Sequence, residues 1–169
     1  LQITSMAEIS GRGHNFVGLH FFNPVQMMKL VEVIRTEHTS EETFNKMLAF
    51  GQSIGKTTVS CVDTPGFIVN RLLVPYLAQA LAMVDRGEAT IEDIDVSMQL
   101  GAGHPMGPIH LSDYIGLDVM HSIIVGWQKD YPKEPAFIMP KCLEEKVKAG
   151  HLGRKTGLGF YKWDGDKKL

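Results

Sequence analysis

The sequence changes character once, at Asp63-Thr64-Pro65-Gly66. A cluster of turn-forming residues like this ends any regular element. Upstream of it, short apolar runs rich in β-branched and aromatic residues flank one helical stretch. Downstream, apolar residues recur almost only at helical spacing. The chain therefore reads as an α/β part over 1–63 followed by an all-helical part over 64–169.

In the first part, residues 4–9 read as a short helix that Gly11 and Gly13 end. Residues 17–22 and 30–34 read as buried strands. Residues 39–53 read as a helix, with Thr39 and Glu42 as a capping box and Gly55 closing it. Residues 57–62 read as a third strand. In the second part, 67–85 reads as one helix apolar on nearly all sides, with Pro75 kinking it near Arg71. Further helices are expected over 90–100 (Thr90 as cap), 109–114, 117–129 and 140–149. A Gly/Pro loop fills 101–108, a Gly/Lys/Arg loop 151–159 and a short extended stretch 160–163. The polar tail 164–169 is expected to fray.

The totals exclude several classes. Hydrophobic residues make up 44% and charged residues 21% of the 169, which suits a globular protein. A net charge of -2 gives no electrostatic case for nucleic acid or an anionic membrane. No apolar run reaches the ~18 residues a membrane span needs. Cys61 and Cys142 are too few for a disulfide framework, so free thiols in a reducing compartment are expected. His14, His38, His104, His110, His121 and His151 show no metal-ligand spacing, and no metal site is expected. Residues 1–5 read as the middle of a longer chain, of which this would be a C-terminal portion.

Two residues sit where neither is cheap. His20 and Glu32 lie in adjacent apolar strands, and a buried carboxylate needs a partner. Paired, they would make a general base and its orienting group. Two plainer readings stay open: a core histidine bonded to backbone, and a glutamate facing solvent from a strand edge. Asn70 lies on the inward stripe of the long helix, where it either meets a ligand or caps the helix. Arg71 beside it suits a carboxylate or a phosphate. Asn23 precedes Pro24 and is held extended, or is a plain turn residue. Lys155 lies in Gly-Arg-Lys-Thr-Gly-Leu-Gly at 153–159, which suits phosphate or a cofactor, or is a solvated basic loop.

Five segments together carry a family resemblance: Gly-Leu-His-Phe-Phe-Asn-Pro at 18–24, Lys-Leu-Val-Glu-Val-Ile at 29–34, Asp-Thr-Pro-Gly-Phe-Ile-Val-Asn-Arg-Leu at 63–72, Gly-Ala-Gly-His-Pro-Met-Gly-Pro at 101–108 and Gly-Arg-Lys-Thr-Gly-Leu-Gly-Phe-Tyr at 153–161. In this order the chain resembles L-3-hydroxyacyl-CoA dehydrogenase of fatty-acid β-oxidation, of the short monofunctional mitochondrial type. The resemblance implies the C-terminal part of a Rossmann-type NAD-binding domain over 1–63. It implies an all-helical substrate and dimerisation domain over 64–169. It further implies NAD as cofactor, an acyl-CoA substrate, a homodimer and a mitochondrial matrix location. By matching motif, His20 would be the catalytic base, Glu32 its partner and Asn70 a holder of the substrate oxygen; Asn23 and Lys155 would contact the cofactor. The family's Gly-x-Gly-x-x-Gly fingerprint does not occur in these residues, nor does the active-site serine expected just before Leu1. The stretch alone is therefore expected to lack most of the NAD site and to be inactive by itself. The alternative is a non-catalytic helical dimerisation fragment, or a structural relative like the lens proteins that resemble this family.

Overall fold

The computed structural model of the chain describes residues 2–169. It divides into two compact units, Leu1–Arg71 and Leu72–Leu169.

The first unit is a small α/β sheet. Helix α1 (Ile3–Ser10) buries Ile3 and Ala7, one turn apart on one face, and stops at Gly11 in the left-handed conformation. Strand β1 (Gly18–Phe21) runs antiparallel to β2 (Leu30–Arg35), with His20 directly opposite Glu32. The connection between them contains a cis Asn23–Pro24 peptide. Helix α2 (Glu41–Ser53) then crosses to β3 (Thr57–Val62), which pairs parallel with β2. Strand β2 is thus central, and its Val31, Glu32, Val33 and Ile34 are fully buried in succession. The cap of α2 is Ser40, whose hydroxyl accepts from Thr43 N, rather than the expected Thr39. Thr39 is occupied one step earlier: its Oγ1 accepts from Thr36 N and donates to Phe16 O, closing the turn after β2.

The second unit is built of helices. Helix α3 (Val69–Asp85) begins two residues later than its apolar pattern suggests, because Phe67 has φ 54° and cannot be helical. It runs through Pro75 as one helix. Its buried residues, Val74, Leu77, Ala78, Ala80, Leu81 and Ala82, form one side, whereas Leu72 is 70% exposed; the helix is not buried all round. Helices α4 (Ile91–Ala102), α5 (Pro108–Ile115), α6 (Leu117–Asp130) and α7 (Lys141–Lys148) complete the core around Leu77, Leu81, Ile109, Leu117, Met120, Ile124 and Leu143. Thr90 caps α4, and Asp85 accepts from Lys141 N and Cys142 N to cap α7 from outside.

Two buried carboxylates organise the end of the chain. Asp95 accepts from Ile109 N, His110 N and the Tyr161 hydroxyl. Asp113 accepts from Phe160 N, Tyr161 N and Trp163 Nε1 at 2.8–3.0 Å. Gly153 and Gly159 press against Asp113 so closely that any Cβ there would collide with it. The tail does not fray. It folds back as a hairpin of β4 (Trp163–Asp164) and β5 (Lys167–Lys168), with Lys168 over the Tyr161 ring and Asp166 paired to Arg154.

Among the described residues, no helix is long and apolar enough to cross a membrane, and no cluster of three or more ligating side chains could hold a metal. Cys61 and Cys142 are free thiols.

Candidate active site

The register of β1 on β2 brings the two expensive residues together. Cross-strand partners point to the same face, and His20 Nδ1 lies 2.6 Å from Glu32 Oε2. Glu32 is completely buried, while the His20 side chain keeps 26% of its surface. One member of the pair is anchored in the core and the other meets solvent.

The rest of the anchor comes from the breaker cluster. Gly66 and Phe67 take consecutive left-handed conformations, φ 77° and 54°. This turns the chain so that the first amides of α3 face back to β2. Glu32 Oε1 accepts from Ile68 N at 3.1 Å and Val69 N at 2.9 Å. Helix N-termini leave these donors without intrahelical acceptors, and their partial positive charge suits a carboxylate. Glu32 therefore receives three hydrogen bonds, two of them from groups that can only donate.

That arrangement bears on the imidazole tautomer. With Glu32 as a carboxylate, which only accepts, Nδ1 would carry the proton and Nε2 would keep its lone pair. Nε2 makes no hydrogen bond among the described residues. The ring is flanked by Phe22, with centroids 4.6 Å apart, and by Phe67 at 5.4 Å. Chemically, this is an imidazole held at Nδ1 by a buried carboxyl group, with Nε2 left open.

The other expected site residues are distributed differently. Asn70 is the second residue of α3, next to the amide that holds Glu32; it is half-buried, and its side chain makes no hydrogen bond among the described residues. Asn23 is exposed, two residues beyond the end of β1. Lys155 belongs to the other compact unit, on a 3₁₀ turn spanning Arg154–Thr156. Its ammonium donates to Asp118 Oδ2 at 2.6 Å, and that bond holds the Asp118 carboxyl below its ordinary range. Sequence reasoning missed the Ile68 and Val69 amides and the two aromatic walls. The available signal was the Pro-Gly pair before an apolar helix, which marks a forced turn at a helix N-terminus.

Neither thiol is part of this chemistry. Burial pushes Cys61 up to about 11 and Cys142 up to about 12, with Glu32 and Asp85 respectively adding to the effect, so both stay protonated near neutrality.

Comparison with known proteins gives these residues a context. Residues 1–64 match the family model described as 3-hydroxyacyl-CoA dehydrogenase, NAD binding domain, and residues 66–163 match that described as 3-hydroxyacyl-CoA dehydrogenase, C-terminal domain. The chain is 59% identical to a probable 3-hydroxyacyl-CoA dehydrogenase of Caenorhabditis elegans, over 88% of this chain and 48% of the relative. It is 54% identical to the mitochondrial hydroxyacyl-coenzyme A dehydrogenase of Mus musculus, over 96% of this chain and 52% of the relative. Among solved structures it superposes on (S)-3-hydroxybutyryl-CoA dehydrogenase from Ralstonia eutropha with a TM-score of 0.93 at 40% identity, covering 97% of this chain and 58% of that one. The chain spans about half the length of the curated relatives it matches.

Proposed function

The chain belongs to the 3-hydroxyacyl-CoA dehydrogenase family, and from that premise we propose that it supplies the catalytic base for NAD-dependent oxidation of (S)-3-hydroxyacyl-CoA to 3-ketoacyl-CoA, a step of fatty-acid β-oxidation. The observation that carries this reading is the His20–Glu32 contact at 2.6 Å with Nε2 left open. In the oxidation, the C3 hydroxyl gives its proton to His20 Nε2 while the C3–H bond breaks. Glu32 keeps the imidazole in the accepting tautomer and stabilises the imidazolium that forms. Asn70, beside the anchored amides, holds the substrate oxygen. A bound NAD would supply the acceptor for the hydride leaving C3.

Asn23 and Lys155 are the residues present that would hold the cofactor. The exposed Asn23 carries an amide that both donates and accepts, which fits a carboxamide; Lys155 in its glycine loop suits a phosphate once its ammonium is shared with or released by Asp118. The turn that usually cradles a dinucleotide pyrophosphate, Gly-x-Gly-x-x-Gly, does not occur in this sequence. Residues 1–63 serve in the Rossmann-type NAD-binding domain and 64–169 serve as the helical substrate and dimerisation domain. The mitochondrial name of the Mus musculus relative supports a matrix location.

The test is His20→Gln in the full-length enzyme. Loss of a general base should lower turnover by about 100-fold or more. Near-normal turnover sinks the assignment.

A further inference from the structure

Phe67 combines two features that rarely meet. It is the one non-glycine residue with positive φ among the described residues, at 54°, a conformation costly for a bulky side chain. Its ring also lies against the His20 imidazole, 5.4 Å between centroids and tilted by 56°. Glycine would take this backbone without strain, so something other than the turn accounts for a phenylalanine here.

The surroundings show what the side chain adds. Gly66, at φ 77°, begins the reversal. Gly66 O then accepts from Arg71 N, and Phe67 N donates to Thr64 O. These bonds leave Ile68 N and Val69 N directed at Glu32 Oε1. Phe67 therefore sits between the two halves of the anchor. Its backbone aims the amides that hold Glu32, and its ring covers the imidazole that Glu32 orients. Phe22, 4.6 Å from the imidazole and tilted by 51°, supplies a second wall from the β1 side. A single hydrogen bond to Nδ1 leaves the imidazole able to rock about that bond. Two aromatic walls restrict the rocking.

We propose that Phe67 is a positioning residue for the general base, its ring confining the His20 imidazole so that Nε2 stays aligned with the substrate hydroxyl. This rests on the reading of His20 as the base. Misalignment of a reacting group by about an ångström costs rate rather than binding, so the predicted signature is a fall in kcat with KM little changed.

The experiment uses the full-length enzyme, with ¹⁵N-labelled histidine for the spectroscopic arm. Phe67→Gly removes the ring but suits the left-handed turn, so the anchor should persist. Its kcat should fall by about 10- to 100-fold with KM within about twofold. The His20 imidazole should keep its bond to Glu32 but gain freedom to rock about it, read as broadened ¹⁵N signals. Phe67→Tyr keeps an aromatic wall and should restore both to near wild type. Phe67→Gly with wild-type kcat and unchanged ¹⁵N line widths overturns the proposal. So does a rise in KM alone, which would make Phe67 a substrate wall. A loss that Phe67→Tyr does not rescue, with unchanged line widths, overturns it as well. His20→Gln in parallel separates the two ideas. If it stays active, the base assignment fails. If it is inactive while Phe67→Gly is silent, only the role of Phe67 falls.

Discussion

Replacing Glu32 by Gln keeps the shape of the side chain and changes only what its oxygens can do. Glutamine has one accepting oxygen and one donating nitrogen, while Glu32 faces three donors: His20 Nδ1 at 2.6 Å, Ile68 N at 3.1 Å and Val69 N at 2.9 Å. If the amide oxygen turns to the backbone pair, its nitrogen donates to Nδ1 and forces the proton onto Nε2. The base then presents a donor to a hydroxyl that must lose its proton. If the oxygen turns to the imidazole instead, two buried amides lose their acceptor, at about 1–3 kcal/mol each. The first arrangement wins, because the imidazole can change tautomer and the backbone cannot. The comparable carboxylate-to-amide change in a serine protease triad costs about 10⁴ in turnover by the same tautomer inversion. We expect Glu32→Gln to reduce kcat by about 10³–10⁴ while the protein stays folded. Replacing charge-assisted bonds by neutral ones should lower stability by about 1–3 kcal/mol. The assays are steady-state NADH formation in the full-length enzyme and urea denaturation of the same variant. Turnover within about threefold of wild type would refute the tautomer argument, because no arrangement of a glutamine leaves both Nδ1–H and the two amides satisfied.

Two further outcomes concern stability. Asp113→Ala strands Phe160 N, Tyr161 N and Trp163 Nε1 in a buried site, so the urea midpoint should fall by the equivalent of about 3 kcal/mol or more; an unmoved midpoint would show that the end of the chain is held by something else. Burial, reinforced by the charge of Lys168, holds His110 below its ordinary value of 6.5 against partial opposition from Asp95 and Asp113. The unfolded chain therefore binds the proton first, so stability should decline as pH falls through about 6.5 and below, and His110→Gln should flatten that decline; parallel slopes for wild type and variant between pH 7 and 5 would contradict it.

Much of this fold was legible because its signals are local. The β-branched runs at 30–34 and 57–62 became β2 and β3, and Thr90 capped the helix it precedes. What stayed hidden depended on partners far along the chain. Nothing near Thr39 says that Phe16 O claims its hydroxyl and leaves the cap to Ser40. Nothing in the polar tail says that Asp113, 50 residues earlier, receives the Trp163 indole and seats a hairpin. The same holds at the candidate site. Spacing marked His20 and Glu32 as costly, but their contact came from strand register. The amides that complete it have no side-chain signature at all. The start of α3 was misjudged because apolar periodicity runs through Phe67 without registering its backbone conformation.

The seat of Glu32 also sets how the gene for such a protein can drift. Connecting segments ordinarily accept gained or lost residues freely. Here a residue inserted between Asp63 and Ile68 would lengthen the turn made by Gly66 and Phe67 and move the Ile68 and Val69 amides off the carboxylate. The segment joining the sheet to its long helix lies on the surface like any loop, yet its length is fixed as tightly as a core side chain, and homologues should differ in its letters before they differ in its count.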